Sequence, residues 1–450
     1  MPSVVINGKQ VASQHRDYTK WKKTGLFVFI TGCIFLLVSL TRIALEGPAI
    51  FFSLSIGLIT LGAVIYIVAQ SRENPAGIKN NNIFFTSLTA RGICAWLLGL
   101  AITGFYVLLY WFPGILTNWI RLADPLARII MQQPADQWFL YGTFYTLAIL
   151  IMGLRMIIYK YRHNRYHQVR TGSIMFFQLG FAFLIPYILK GLNQPDFYFS
   201  YFWPLKYDYL FPGTIKNLLS HPGGLGFFMV FWGAIMTFVA VPVLTYFFGK
   251  RWYCSWVCGC GGLANTLGDP FRHLSDKSLK VWKIERWMIH FVLLFIIVTT
   301  GLLWINSGSN GRILGETSLF FSRVYGFLIG ATFSGVIGVG FYPLMGSRVW
   351  CRFGCPLAAI LGIIQKYFSR FRITTNGSQC ISCGNCSTYC EMGIDVRWYA
   401  QRKQNIIRAS CVGCGVCAAV CPRGVLALEN NSPQNRYNEI NENKLITNQI

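Results

Sequence analysis

The chain has 450 residues, of which 54% are hydrophobic and only 12% charged, and its 40 Lys and Arg outweigh 16 Asp and Glu to give a formal net charge of +24. A soluble domain carries about 25% charged residues, so this chain cannot keep its whole surface wet and reads as embedded in a lipid bilayer. The basic residues stand in short clusters between apolar runs, which is the pattern of membrane topology signals and not of a nucleic-acid-binding patch.

Residues 1–24 are polar and basic, with Lys9, Arg16, Lys20, Lys22 and Lys23, and no short apolar stretch with a small-residue cleavage site marks them as a secretory signal. Apolar runs of roughly 20 residues, the length that spans a bilayer, follow near 25–42, 49–69, 93–112, 138–159, 174–190, 226–248, 287–305 and 324–345. With the N-terminus in the cytoplasm, the basic loops 160–173 and 249–286 face inward. Only 8 of the 40 basic residues (Arg42, Arg121, Arg128, Lys190, Lys206, Lys216, Arg312 and Arg323) then face outward. The positive-inside rule is obeyed at every turn, and one span more or fewer breaks the alternation. The expectation is a multi-pass protein of a bacterial inner membrane with both termini cytoplasmic. The external stretch 193–213, NQPDFYFSYFWPLKYDYLFPG, reads as an interfacial aromatic belt; a wall of a quinone pocket is the sharper reading. The tail after Glu429 is Asn-rich without apolar periodicity and reads as disordered.

Thirteen of the fifteen cysteines lie after residue 250 in tight clusters, and thiols at such spacings in a cytosolic setting read as metal ligands, not disulfides. Cys380, Cys383, Cys386 and Cys390 form C-x2-C-x2-C-x3-C; Cys411, Cys414, Cys417 and Cys421 repeat it, followed by Pro422. Two-residue gaps let three sulfurs of one loop reach three irons of a cubane, while the fourth cysteine crosses to the other cluster. This assigns Cys380, Cys383, Cys386 and Cys421 to one [4Fe–4S] cluster, and Cys411, Cys414, Cys417 and Cys390 to a second. Zinc, the other ion held by C-x2-C pairs, rarely takes two runs of this kind. Gly384, Gly413 and Gly415 permit close backbone approach to sulfur. Glu391 stands after Cys390 where the pattern expects proline, so a changed loop is expected there.

A second repeat lies at the membrane face. RWYCSWVC starts at Arg251 and RVWCRFGC at Arg348, each after an apolar run. In each C-x3-C the cysteines are i and i+4, which share one face if the segment is a helix. Paired repeats in membrane proteins often flank a functional site, so Cys254, Cys258, Cys351 and Cys355 are expected to converge, with Cys260 as a neighbour. Four thiolates suit an iron site or a [2Fe–2S] cluster; a reversible dithiol is the other reading, and packing as small apolar residues the plain one.

At these motifs the chain resembles the membrane-bound polyferredoxin family, which includes NosR-like, NapH-like and CcoG-like proteins. Its mark is paired C-x3-C-P motifs at helix ends, followed by a two-cluster ferredoxin domain. Cys351 to Pro356 matches fully, Gly259 replaces the proline of the first copy, and the ferredoxin cysteines match one for one. The resemblance covers roughly 226–425 and leaves the first four spans unplaced. It implies quinol-linked electron transfer or a reductive role in assembling a respiratory metalloenzyme.

Among remaining residues, His290 lies inside a span without a facing histidine and reads as core packing. His163 and His167 read as part of a solvated loop, and Glu285 with His290 as a weak proton path for a quinol. Gly330-Ala331-Thr332 lacks the Asp of a flavinylation site. No glycine-rich phosphate loop or Ser–His–Asp arrangement is present, and a transporter is disfavoured by the absence of paired charges inside the spans. The combined expectation is a mostly α, polytopic helical membrane protein of about eight transmembrane helices with a small α+β bacterial-type two-cluster ferredoxin domain. Its parts are a basic N-terminus at 1–24, helices at 25–190 and 191–370, the ferredoxin domain at 371–428 and a tail at 429–450. The expected partners are the lipid bilayer, a quinone, and a respiratory complex subunit or soluble electron carrier.

Overall fold

The computed structural model describes residues 5–6, 9–10, 18–41, 47–73, 86–376 and 379–430. Most of the basic N-terminus and the tail beyond Asn430 lie outside the described residues. Among the described residues eight helices are long and apolar enough to cross a membrane. They are α1 (Thr19–Val38), α2 (Pro48–Glu73), α3 (Ile93–Trp111), α4 (Gln137–Lys160), α5 (Arg165–Gly191), α6 (Leu225–Phe248), α7 (Leu279–Gly308) and α8 (Glu316–Ile337). The fold class expected from the apolar runs holds.

The bounds of α1, α5, α7 and α8 differ by several residues from the apolar runs, and α5 and α8 show why. α5 begins at Arg165, with the Asn164 side chain accepting from the His167 amide at 3.3 Å. Its polar first turns are helical because they pack under the C-terminal region, which hydropathy alone does not register. α8 ends at Ile337 and not near 345, its last twelve residues, Gly326–Ile337, being wound as a wide π-helix. A side chain at Gly338 would lie 2.7 Å from the Phe333 carbonyl and 3.0 Å from Trp350.

α1 and α2 form a tight antiparallel hairpin in which small residues let the backbones meet, as helices in lipid require; a Cβ at Gly32 would stand 2.7 Å from the Ile59 amide. Wide π-helical stretches interrupt α5 at Phe177–Leu184 and α6 at Met236–Ala240. They lie just before Pro186 and Pro242, whose missing N–H groups prevent regular helical bonding.

Two connections dive back into the protein. Residues 193–211 leave α5 on one side of the bundle and reach the middle of α6, where the Thr237 hydroxyl donates to the Trp203 carbonyl at 3.2 Å. Residues 251–278 enter from the opposite side. Irregular backbone at such depth is tolerated only when protein covers it, and Phe197, Phe202, Tyr253 and Ala264 are buried. The 193–213 stretch is therefore not an interfacial belt. Its rings turn inward: Phe197 stacks on Tyr209 at 4.6 Å, and Phe202 packs against Tyr253 at 5.0 Å.

After α8 the chain runs through the second C-x3-C into α9 (Pro356–Tyr367). Strand β1 (Arg372–Thr375) then pairs antiparallel with β2 (Leu426–Glu429), in register Arg372 to Glu429 and Thr375 to Leu426. This two-stranded ribbon closes the loops that carry the C-terminal cysteines.

Candidate redox centre

Between β1 and β2 the two cysteine runs wall two cavities. The outer one encloses about 370 Å³ of space not filled by atoms and is lined by Cys380, Cys383, Cys386 and Cys421. The inner one encloses about 360 Å³ and is lined by Cys390, Cys411, Cys414 and Cys417. Each cavity thus takes three cysteines from one run and the fourth from the other. Gly384 and Gly415, at φ +78° and +80°, turn the chain after the second cysteine of each run in a conformation that side chains resist. Backbone amides point at the sulfurs: Ser387 at Cys386, Met392 and Ile394 at Cys390, and Gly413 at Cys411. Thiols facing one another with amide donors behind them are the donor set that an iron–sulfur cluster requires.

The C-x3-C pairs wall a third cavity. Cys254, Cys258, Cys260, Cys351 and Cys355 surround about 270 Å³ together with Arg348, Tyr253 and Trp350. The expected convergence occurs, but the cysteines do not share the face of one helix. Cys254 ends a short helix, Arg251–Cys254, and Cys258 caps the next, Gly259–Asn265. Cys355 likewise caps α9, its sulfur accepting from the Ala358 amide at 3.4 Å. Pro356 suits the first turn of a helix, where no N–H is needed. The first copy has Gly259 at that place because Tyr201, from the 193–211 connection, sits against it; a side chain there would collide with the Tyr201 hydroxyl and lie 2.7 Å from Gln178 Oε1. Among the described residues no group of three or more His, Cys, Asp and Glu stands close enough together to hold a single metal ion.

The inner cavity is bolted to the membrane face through the carbonyls of its own loops. Ser255 Oγ donates to the Val412 carbonyl at 2.7 Å, Arg170 Nη1 to Cys414 at 2.7 Å, Ser275 Oγ to Glu391 at 2.6 Å, and Gln365 Nε2 to Cys411 at 2.8 Å. Glu391 explains the departure from the expected proline. Its carboxylate is fully buried and receives Arg348 at 2.8 Å, with Arg272 at 3.8 Å. Arg272 also pairs with Asp269 at 2.9 Å, and Asp269 with Lys160 at 2.7 Å. One chain of buried charges therefore runs from α4 to the residue beside Cys390. Arg348 closes it onto the third cavity, its Nη1 3.5 Å from Cys351 Sγ and 3.4 Å from the Cys254 carbonyl. Burial would raise the Asp269 carboxyl, but Lys160 and Arg272 override it and hold it at about 2. Burial likewise opposes ionisation of Glu391, and Arg348 and Arg272 override it to leave its carboxyl below the usual range.

The structure separates other candidates. His167 is not in a solvated loop; it is buried on α5 and stacks on Tyr161 at 4.5 Å. Glu285 is held by Arg352 at 3.0 Å and is not a free proton carrier. His290 is exposed on α7 and faces a cavity, not the core. The two motif arginines differ as well: Arg251 lies over the Phe371 ring at 4.6 Å, while Arg348 takes Glu391. Asp269, Arg272 and Lys160 were not singled out from the sequence. The signal available was scarcity alone, since the chain holds only 16 carboxylates against 40 Lys and Arg.

A polytopic membrane protein carrying a ferredoxin-type dicluster region is the class that this architecture defines. The region 372–422 matches the family described as 4Fe-4S dicluster domain. Residues 230–278 and 328–375 each match the family described as 4Fe-4S binding domain, one C-x3-C pair in each. The chain is similar to YccM of Escherichia coli, named for electron transport, at 28% identity over 36% of this chain and 46% of the relative. It is similar to the ferredoxin-type protein NapH of Escherichia coli at 28% identity over 39% and 58%. It is also similar to the methylamine utilization ferredoxin-type protein MauN of Methylobacillus flagellatus, at 26% identity over 35% and 54%. The chain spans about half the length of these curated relatives. No solved structure matches it. Of these relatives one is named for electron transport and two as ferredoxin-type proteins.

Proposed function

We propose that this protein relays single electrons between the membrane quinol pool and a redox partner at its polar face. Cys380, Cys383, Cys386 and Cys421 hold one [4Fe–4S] cluster, and Cys411, Cys414, Cys417 and Cys390 the other. Cys254, Cys258, Cys351 and Cys355 hold further thiolate-bound iron in the third cavity. When bound, such clusters supply one-electron oxidation and reduction at potentials set by burial and hydrogen bonding. The observation that carries the reading is the succession of the three cavities. The outer one reaches solvent at Cys383, the inner one lies beneath it, and the third adjoins the inner one through Arg348, Glu391, Ser255 and Val412.

A quinol has a place beside the third cavity. α3, α4 and the helix that begins after Cys258 line an open apolar cleft with about 1020 Å³ of space not filled by atoms, and the hydroxyls of Tyr106 and Tyr141 approach within 3.4 Å of each other on its wall. Apolar walls with a few convergent polar groups suit a quinone ring and its tail, and this gives the N-terminal helices a role. Oxidation of one quinol to quinone releases two electrons, taken in two one-electron steps, and two protons. The solvent edge at Cys383, flanked by Arg397 and Arg423, is where a soluble carrier or respiratory subunit approaches. Both termini and the ferredoxin region lie on the cytoplasmic side of a bacterial inner membrane in this reading, supported by the even number of spans and the bias of basic residues.

The test is anaerobic. Menaquinol added to the oxidised full-length protein is expected to bleach the visible cluster absorbance as dithionite does, and Tyr141→Phe to slow it. Bleaching by dithionite alone would overturn the quinol reading and favour a reductive assembly role.

A further inference from the structure

A cavity distinct from those above opens where the ferredoxin region meets the membrane helices. It holds about 1010 Å³ between α7, α9 and residues 407–410. Arg286 of α7, Lys366 of α9 and Arg408 line it, one cation from each of its three walls. Among the described residues none of the three pairs with a carboxylate. The acid on the same wall, Glu285, is occupied by Arg352. The cations rest instead on aromatic faces: Arg408 lies 4.3 Å and Arg286 5.4 Å from the Trp282 ring, and Lys366 4.8 Å from Tyr367. Such stacking orients a cation without neutralising it.

Below these charges the surface turns apolar. α7 leaves Trp287 81% and Phe291 64% exposed, and Tyr367 and Phe368 at the end of α9 are each 66% exposed. Protein leaves these rings uncovered, and in a membrane protein lipid covers them. Three unneutralised cations above a bare apolar face match one kind of molecule, a phosphate carrying fatty chains. Basic pockets beside membrane helices take anionic headgroups in this way.

We propose that this cavity binds the headgroup of an anionic glycerophospholipid such as phosphatidylglycerol. The phosphate is shared by Arg286, Lys366 and Arg408, and the chains lie along α7 and the end of α9. The lipid then bridges three separate parts of the chain. One of them, residues 407–410, leads directly into Cys411, so the lipid clamps the inner cysteine cavity to the bilayer. This inference does not rest on the quinol reading, and its test involves no electron transfer.

The experiment uses full-length protein in neutral detergent. It measures binding of phosphatidylglycerol, of phosphatidylcholine with the same chains, and of inorganic phosphate, by titration calorimetry. Phosphatidylglycerol is expected to bind at least about tenfold tighter than phosphatidylcholine, since each basic residue near a headgroup contributes about fivefold. Lys366→Gln is expected to weaken it about fivefold, Lys366→Arg to retain it, and the triple change Arg286→Gln, Lys366→Gln, Arg408→Gln to abolish the preference. Equal binding of the two lipids, or a preference that survives the triple change, overturns the proposal. Inorganic phosphate that displaces the lipid at comparable concentration also overturns it, since the site then binds a free anion. Lys366 is exposed, so the single variant stands if the triple one fails to fold. As a second measurement, phosphatidylglycerol is expected to slow hydrogen exchange at 407–411; unchanged exchange there removes the bridging role.

Discussion

Cys383 stands at an exposed rim, with Arg397 and Arg423 beside it in solvent, whereas Cys411 and Cys417 are buried under Ser255, Gln365 and the Arg348–Glu391 pair. The outer and inner cavities are built from one repeated cysteine spacing and have nearly the same volume. They differ in what presses on them. Solvent and exposed side chains surround the first; hydrogen bonds to loop carbonyls and a buried charge surround the second. Cluster potentials respond to burial and hydrogen bonding, so identical spacing yields two unlike sites, and the difference is supplied by the membrane region.

The sharpest way to break this comparison is Glu391→Ala, which leaves Arg348 and Arg272 buried without their shared carboxylate. Removing one partner of a buried pair costs about 3–5 kcal/mol. The variant is expected to release the ferredoxin region, read as new protease cleavage within residues 379–430 and a lower denaturation midpoint.

Acid is expected to act on the same side only. The folded carboxyl of Asp269 is held at about 2, below its ordinary 3.8. Its contribution is therefore present above about pH 4 and is lost as pH falls towards about 2, at about 2 kcal/mol in all. Glu391 acts in the same direction. Urea unfolding of the full chain at pH 7, 4 and 3 should show the loss, and Asp269→Asn should flatten the dependence while lowering stability at pH 7.

The two C-x3-C copies allow a smaller test. Gly259→Pro gives the first copy the proline of the second, yet it drives a ring into Tyr201 and is expected to cost about 1–3 kcal/mol. Pro356→Ala in the second copy is expected to cost under about 1 kcal/mol, the worth of a preset backbone angle. Thermal unfolding of both variants compares them.

The smallest effect belongs to the outer rim. Arg397→Gln is expected to change stability by less than about 0.5 kcal/mol. Loss of a positive charge should move one cluster potential lower in a redox titration and leave the other in place. Equal movement of both would mean that the two sites share one environment.

Much of this was legible in the residues and some was not. The eight spans were readable because apolar run length is a local property. The start of α5 was not, since Arg165 to Arg170 are helical only by docking under Cys414. The convergence of the C-x3-C pairs was readable from their repetition, but the break of the helix between Cys254 and Cys258 was not. Nor was the crowding at Gly259, where Tyr201 arrives from a connection that looked external.

By itself the sequence determined the membrane class, the number of spans and the cysteine spacing that suits two cubane clusters, because hydropathy and short-range spacing are properties of neighbouring residues. Only the tertiary structure decided which cavity is fixed and which is exposed. The deciding pairs, Lys160 with Asp269 and Arg348 with Glu391, are 109 and 43 residues apart. Their strength comes from burial that no single segment provides.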